Sequence, residues 1–336
     1  MRKVSIANAF FIILLVCLGG LVRYAAAAPT SMHDDVVFTR TTPLADFAEI
    51  ERRTRPPVYA SKIAAHGPAI DPAKEHFLVY VPAKRPPQGY ALLVFVPPWD
   101  RAHVPPDWAS VFDDLGVIFV SASSSGNDAD VRARRMPLAV TAAVNAMQEY
   151  AVDPSRVFVG GFSGGARVAL GLALGWPDLF RGALLNSGGD PLGSMDFPIP
   201  PADLFAKFQE NSQVFYIIGD GDRGNDGRVN VSLHSLADWC VFHTGRLIVP
   251  HMGHETASPV ALEKGLTALL KGIPSSDDLA ACRAGVQTRL DAKREAVEDL
   301  IAKGDKPAAR RALDALDAEF GGLAAPKTLE LDSQIH

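Results

Sequence analysis

The sequence predicts an α/β protein with a mostly parallel central sheet and helices on both faces. Short apolar runs alternate with longer amphipathic segments along most of the chain. Runs that are apolar at successive positions are typical of strands buried on both faces. Strict alternation of strand and helix favours parallel strands joined by helical crossovers. Hydrophobic residues make up 48% of the 336, which is enough to build a core of this kind.

Seven apolar runs are predicted as strands, and four segments with helical spacing are predicted as helices. The predicted strands are residues 76–81, 91–96, 116–120, 156–160, 182–185, 214–218 and 246–249. The predicted helices are residues 137–150, 164–174, 229–242 and 260–270. Together they define one α/β domain over residues 58–274.

Two further segments flank this domain. Residues 29–57 are mixed and polar without a clear period, and we interpret them as an N-terminal arm. Residues 275–336 are charged and helical, and they predict a C-terminal helical extension in which a hairpin spans residues 277–300 and 306–320. The amphipathic faces of this hairpin are expected to pack on the domain or on each other. A partner-binding role is the alternative.

The N-terminus predicts a signal peptide over residues 1–28. Arg2 and Lys3 precede an apolar run at residues 9–22, and four alanines at residues 25–28 provide a cleavage context. The apolar run is short for a complete membrane span. We therefore expect export to the periplasm or the extracellular space, with an uncleaved membrane anchor as the alternative.

The cysteines bear on whether the protein forms a disulfide, and the net charge bears on whether it binds nucleic acid. Cleavage would remove Cys17 and leave Cys240 and Cys282, a pair that invites a disulfide in an oxidising compartment. Two free, buried thiols are the alternative. The formal net charge of −5 gives no support to nucleic-acid binding.

The most informative motif lies between the predicted strand at 156–160 and the helix at 164–174. It reads Gly161-Phe162-Ser163-Gly164-Gly165, which fits the pattern G-x-S-x-G. A serine on a tight strand-to-helix turn has strained backbone angles, and glycines two residues on either side remove the Cβ atoms that would collide. The motif therefore predicts Ser163 as a nucleophile, with a chance serine in a Gly-rich turn as the alternative.

A serine nucleophile needs a general base. His254 follows Gly253 in the loop after the last predicted strand and is our first candidate. His251 in the same loop is the second candidate.

The base in turn needs an orienting carboxylate. The loop after the strand at 214–218 carries Asp222, Asp220 and Asp226, which we rank in that order. The chain order is then Ser, Asp, His, as expected for this kind of site. An acidic, Gly-rich loop could instead bind calcium.

An oxyanion hole needs two N–H donors. The amide of Gly164 is the first, and the second is expected from the loop after the strand at 91–96. That loop begins Pro97-Pro98, and proline has no N–H, so Trp99 is the first residue able to donate. We also expect the indole of Trp99 to form an apolar wall of the pocket.

These residues resemble the α/β-hydrolase superfamily, and in particular secreted esterases of the polyhydroxyalkanoate-depolymerase and feruloyl-esterase type. The resemblance runs from about residue 76 to residue 270 and includes Tyr80-Val81-Pro82, the Ser163 turn, Gly219-Asp220-Gly221-Asp222 and Gly253-His254. It implies that the acid is Asp222. Relatives usually carry His-Gly where this chain has Pro97-Pro98, and a larger residue where it has Gly164.

The sequence thus predicts a serine hydrolase that cleaves carboxylic esters, small or polymeric, without a metal or an organic cofactor. A serine peptidase on the same fold is the second candidate function. A non-catalytic exported protein that keeps the fold is the third. It is favoured by Pro97-Pro98, which replaces the His-Gly pair that relatives usually carry.

Overall fold

The computed structural model describes residues 31–63, 67, 69–273 and 278–335, so the predicted signal peptide lies outside the described residues. In this part of the chain, eight strands form one sheet in the order β1-β2-β4-β3-β5-β6-β7-β8. They are β1 Ser31–Val36, β2 Phe77–Val81, β3 Tyr90–Val96, β4 Val117–Ala122, β5 Val152–Phe162, β6 Gly182–Asn186, β7 Gln213–Gly219 and β8 Thr244–Val249.

The sheet is mostly parallel, as the sequence predicts. Only the β1–β2 and β2–β4 pairs are antiparallel. The pairs from β4 through β3, β5, β6 and β7 to β8 are all parallel. All seven predicted strands are present, with boundaries that shift by a few residues. Parallel strands place their carboxyl ends at one edge, so the loops that follow β3, β5, β7 and β8 meet there.

Eleven α-helices accompany the sheet in the described residues. They are α1 Phe47–Thr54, α2 Pro57–Ala60, α3 Trp108–Leu115, α4 Met136–Glu149, α5 Gly164–Gly175, α6 Ala202–Asn211, α7 Arg223–Asp238, α8 Pro259–Leu270, α9 Leu279–Ala302, α10 Lys306–Phe320 and α11 Lys327–Ile335. Among these residues no helix is both long and apolar enough to cross a membrane.

Helices cover both faces of the sheet because alternate residues of each strand enter two different cores. In β3, Leu92 and Val94 pack with α4 and α5 on one face. Leu93 and Phe95 pack with α3 and α8 on the other. The side-chain period of two in a strand produces this division, which explains why the strands are apolar at every position.

The segment predicted as an N-terminal arm contributes β1 and α1. β1 pairs with β2 at the edge of the sheet, and its four central residues are exposed. An exposed edge strand needs no apolar run, so its sequence carries no strand signal. In α1, Arg53 forms ion pairs with Glu49 and Asp178, which ties the helix to the end of α5.

The predicted C-terminal helical hairpin is present, and the extension contains one further helix. α9 and α10 match the two predicted helices, and α11 follows them. The extension packs on the domain as expected. Phe320 is fully buried and its ring lies 5.4 Å from that of Trp239. The predicted disulfide between Cys240 and Cys282 is present and joins the end of α7 to α9.

Asp317 on α10 provides a pH-dependent contact between the extension and the N-terminal segment. Its carboxylate accepts hydrogen bonds from the Val58 and Tyr59 amides at the start of α2. Burial raises the pKa of Asp317 to about 6, although these hydrogen bonds oppose the shift. The folded protein therefore binds more protons than the unfolded chain between about pH 4 and pH 6. The contribution of Asp317 to stability is complete below that window and is lost as the pH rises through it.

We therefore expect Asp317→Asn, which keeps an acceptor oxygen but cannot ionise, to gain stability relative to wild type as the pH rises. The difference in unfolding free energy should shift by about 3 kcal/mol between pH 4 and pH 8. Urea unfolding at the two pH values measures it, with Glu263→Gln, an exposed carboxylate on α8, as a control. An equal difference at both pH values would contradict the prediction.

Candidate active site

Ser163 lies on a sharp turn between β5 and α5. Its φ of 56° and ψ of −121° are an unusual conformation for a residue with a side chain. A Cβ at Gly161 would lie 2.3 Å from the backbone of Gly165, and a Cβ at Gly165 would lie 1.9 Å from the Val96 carbonyl oxygen. Both glycines are therefore required by close backbone approach, as the motif predicts.

The structure brings Ser163, His254 and Asp222 together in one hydrogen-bonded chain. The Oγ atom of Ser163 lies 2.9 Å from Nε2 of His254. The Nδ1 atom of His254 lies 2.8 Å from Oδ2 of Asp222. Asp222 is buried, whereas 43% of the His254 side chain is exposed. This geometry allows His254 to take a proton from Ser163 while Asp222 fixes the orientation of the ring.

Asp222 stays ionised because its hydrogen bonds outweigh its burial. Burial alone raises the pKa of Asp222, but hydrogen bonds from His254, Asn225 and Ser187 hold that pKa below its ordinary value. Nδ2 of Asn225 donates to Oδ1 of Asp222 at 2.9 Å. A carboxylate that is charged at neutral pH is what stabilises an imidazolium formed during catalysis.

The two other candidates for the orienting carboxylate, Asp220 and Asp226, have other partners. The Oδ1 atom of Asp220 accepts a hydrogen bond from the backbone N–H of His251 at 2.8 Å, which fixes the loop that carries His254. Asp226 lies one turn inside α7 and pairs with Arg246. Neither aspartate contacts the His254 ring. In the part of the chain that the structure describes, no group of three or more His, Cys, Asp or Glu side chains is arranged to hold a metal ion.

Sequence reasoning missed two residues that support the site, Asn186 and Ser187 at the end of β6. The Asn186 carbonyl accepts a hydrogen bond from the Ser163 amide at 2.9 Å. Its side-chain Oδ1 accepts one from the Ala257 amide, in the loop that carries His254, at 2.7 Å. Polar residues directly after a strand next to the Ser163 turn were a usable signal, because the carboxyl ends of parallel strands meet at one edge.

The Gly164 amide stands at a helix N-terminus beside the nucleophile. Gly164 is the first residue of α5, so its N–H has no intrahelical acceptor and lies where the helix dipole favours negative charge. The role of the Trp99 amide stays a prediction. Its indole stacks on His103 and packs near Phe162, whose ring in turn lies 4.9 Å from that of His254, and its role as an apolar wall also stays a prediction.

The glycine at position 164 lies directly beneath the side chain of Asn127. A Cβ there would lie 2.3 Å from Oδ1 of Asn127, whose side chain covers this position. Asn127 also holds the loop after β3, because its N–H donates to the Pro98 carbonyl at 3.1 Å. Asn127 therefore contacts both positions at which this chain differs from the family that it resembles, Gly164 and the Pro97-Pro98 pair. No sequence motif indicated Asn127.

The strand order, the serine turn after β5 and the chain order Ser, Asp, His define an α/β-hydrolase fold. No protein-family model matches the chain, and no curated protein matches it. Solved structures similar to it include the feruloyl esterase module from Clostridium thermocellum, with a TM-score of 0.43, 13% identity, and coverage of 58% of this chain and 82% of that one.

Two other solved structures are comparably similar. A puromycin-hydrolyzing peptidase from Mycobacterium tuberculosis has a TM-score of 0.40, 20% identity, and coverage of 57% of this chain and 36% of that one. A thermostable esterase has a TM-score of 0.43, 14% identity, and coverage of 59% of each chain. The chain thus spans about a third of the length of the peptidase. At these TM-scores the similarities assign no activity to this chain.

Proposed function

We propose that the protein is an exported serine hydrolase that cleaves carboxylic esters through an acyl-enzyme on Ser163. The observation that carries the proposal is the hydrogen-bonded chain from Ser163 through His254 to Asp222. It stands at the edge of the sheet where the carboxyl ends of the strands meet, and Ser163 lines a cavity large enough for a small ester.

The proposed reaction has two halves. Ser163 Oγ attacks the acyl carbon while His254 Nε2 takes its proton, and the Gly164 amide, with the Trp99 amide as the proposed second donor, holds the oxyanion. The ester C–O bond then breaks as His254 returns the proton to the leaving alkoxide. Water, deprotonated by His254, attacks the acyl-enzyme, and the carboxylic acid leaves as the proton returns to Ser163.

The disulfide between Cys240 and Cys282 supports the export half of the proposal. Disulfides form and persist in the periplasm and outside the cell, and are rare in the cytosol. It agrees with the signal peptide expected at residues 1–28.

A fluorophosphonate probe tests both the nucleophilic role of Ser163 and the export of the protein in one experiment. The full chain and its Ser163→Ala variant are expressed, and the probe is applied to the cytoplasmic, periplasmic and secreted fractions. We expect labelling of the wild-type chain in an extracytoplasmic fraction and none in the variant. Absence of labelling beside a labelled control hydrolase would overturn the nucleophile, and labelling confined to the cytoplasm would overturn export.

A further inference from the structure

The cavity beside Ser163 is a groove along one face of α5. It has a volume of about 540 Å³. Helix residues spaced three or four apart share a face, and those that line this groove are Gly164, Arg167, Val168, Gly171, Leu174 and Gly175. Gly164 and Gly175 are eleven helical rises apart, which is about 16 Å, so the groove extends well beyond the serine. Residues 196–198 also line it.

The groove is unusually rich in arginine. Its described lining includes five guanidinium groups, those of Arg53, Arg132, Arg135, Arg167 and Arg228, but a single carboxylate, that of Asp196. Arg53 is neutralised by Glu49 and Asp178, at 2.6 and 2.7 Å. The other four guanidinium groups outnumber the carboxylates near them, so the groove carries positive charge that favours an anion.

In the described part of the chain, the guanidinium groups of Arg132 and Arg135 donate hydrogen bonds to uncharged oxygens. Arg132 donates to the hydroxyl and the carbonyl of Thr54. Arg135 donates to the carbonyls of Ser125 and Pro97, and it is almost fully buried. Burial lowers the pKa of Arg135 to about 10, which still leaves it protonated at neutral pH. Both therefore add positive charge to the groove.

Arg167 and Arg228 share one carboxylate close to the nucleophile. Arg167 donates through Nε to Oδ2 of Asp190, and Arg228 donates through Nη2 to Oδ1 at 2.6 Å. Asp190 is held in turn, because its carbonyl accepts a hydrogen bond from Ser232. The side chains of Arg167 and Arg228 are 43% and 48% exposed and both line the groove, so N–H groups that Asp190 does not use remain accessible to a ligand.

We propose that the substrate of this site is an anionic ester whose carboxylate is bound by Arg167 and Arg228. Arg167 lies one helical turn after Ser163, so a carboxylate held there is within a few bonds of a scissile ester at the serine. Two guanidinium groups that share a single carboxylate retain a net positive charge, and they present planar N–H donors that match a second carboxylate. The inference rests on the proposed function, because it places the anion in the same groove as the reacting ester.

Matched ester pairs test the inference on either side of the scissile bond. The first pair, p-nitrophenyl hemiglutarate and p-nitrophenyl valerate, differs in the charge of the acyl group. The second pair, the butyrates of 4-hydroxybenzoate and of its methyl ester, differs in the charge of the alcohol group. We expect the wild-type chain to prefer the anionic member of at least one pair by roughly ten- to a hundred-fold in kcat/KM, mainly through KM.

The preference should disappear in Arg167→Gln and Arg228→Gln and should persist in Arg311→Gln, which removes an exposed charge on α10. It should also weaken in 0.5 M salt. Circular dichroism and urea unfolding show in each variant that the protein is folded. Equal rates for both members of both pairs, or a preference that survives both substitutions at the groove, would overturn the inference.

Direct binding separates failure of this inference from failure of the proposed function. Calorimetry with glutarate and glutaramide on Ser163→Ala should detect binding of glutarate alone, and Arg167→Gln should abolish it. If the wild-type chain reacts with the fluorophosphonate probe but glutarate does not bind, the proposed function stands and the anionic substrate is excluded. If glutarate binds but the probe does not react, the anion site stands and the hydrolase is excluded.

Discussion

Replacing His254 with alanine is expected to lower kcat on p-nitrophenyl acetate by a factor on the order of 10⁶, with little change in stability. Removal of the base leaves Ser163 as an unactivated alcohol, and in serine hydrolases this loss approaches that of the whole triad. The ring is 43% exposed, so its removal leaves no buried cavity. Steady-state kinetics and urea unfolding on the same preparation measure the two effects.

His251→Asn is the matched control, since His251 lies three residues away in the same loop. Its φ of 60° is a conformation that asparagine tolerates better than alanine. The control should retain activity within about two-fold, because only the backbone N–H of His251 contacts Asp220. A large loss in the His251 variant together with a small loss in the His254 variant would reverse the assignment of the base.

The Ser163 turn was predictable because its signal is local. A Cβ at Gly161 would meet Gly165 inside the motif and a Cβ at Gly165 would meet Val96 of β3, yet both requirements are visible as glycines within five residues of sequence. The choice of Asp222 over Asp226 was harder. α7 begins at Arg223, whereas the apolar period becomes visible only at Val229, so the sequence left residues 220–226 as one undivided loop. The start of the helix is what leaves Asp222 beside His254.

The arginine groove could not be predicted, because its charges come from separate parts of the chain. Arg167 belongs to α5, Arg228 to α7, and Arg132 to the turn before α4. Each is an ordinary helical arginine in its own segment, and only the packing of the segments brings them together around Asp190 and Ser163. β1 was missed for a related reason, since pairing with β2 defines it rather than its own composition.

Replacing Gly165 with alanine is expected to destabilise the protein by roughly 3–5 kcal/mol and to abolish fluorophosphonate labelling. The added Cβ would lie 1.9 Å from the oxygen and 2.8 Å from the carbon of the Val96 carbonyl. Both are backbone atoms at the end of β3, which pairs with β4 and β5, so they cannot move without disturbing the centre of the sheet. The start of α5 must shift instead, and Ser163 shifts with it. Urea unfolding and probe labelling measure the two consequences.

Gly227→Ala is the matched control for this chemical change. Gly227 lies inside α7, and nothing lies within 4 Å of its added Cβ. Alanine there should stabilise the protein by about 0.5–1 kcal/mol, because it lowers the entropy of the unfolded chain and favours the helix. The same methyl group should therefore act in opposite directions at the two positions. If Gly165→Ala also unfolded at or above the wild-type midpoint and labelled normally, close contact between α5 and β3 would not be what holds Ser163 in place.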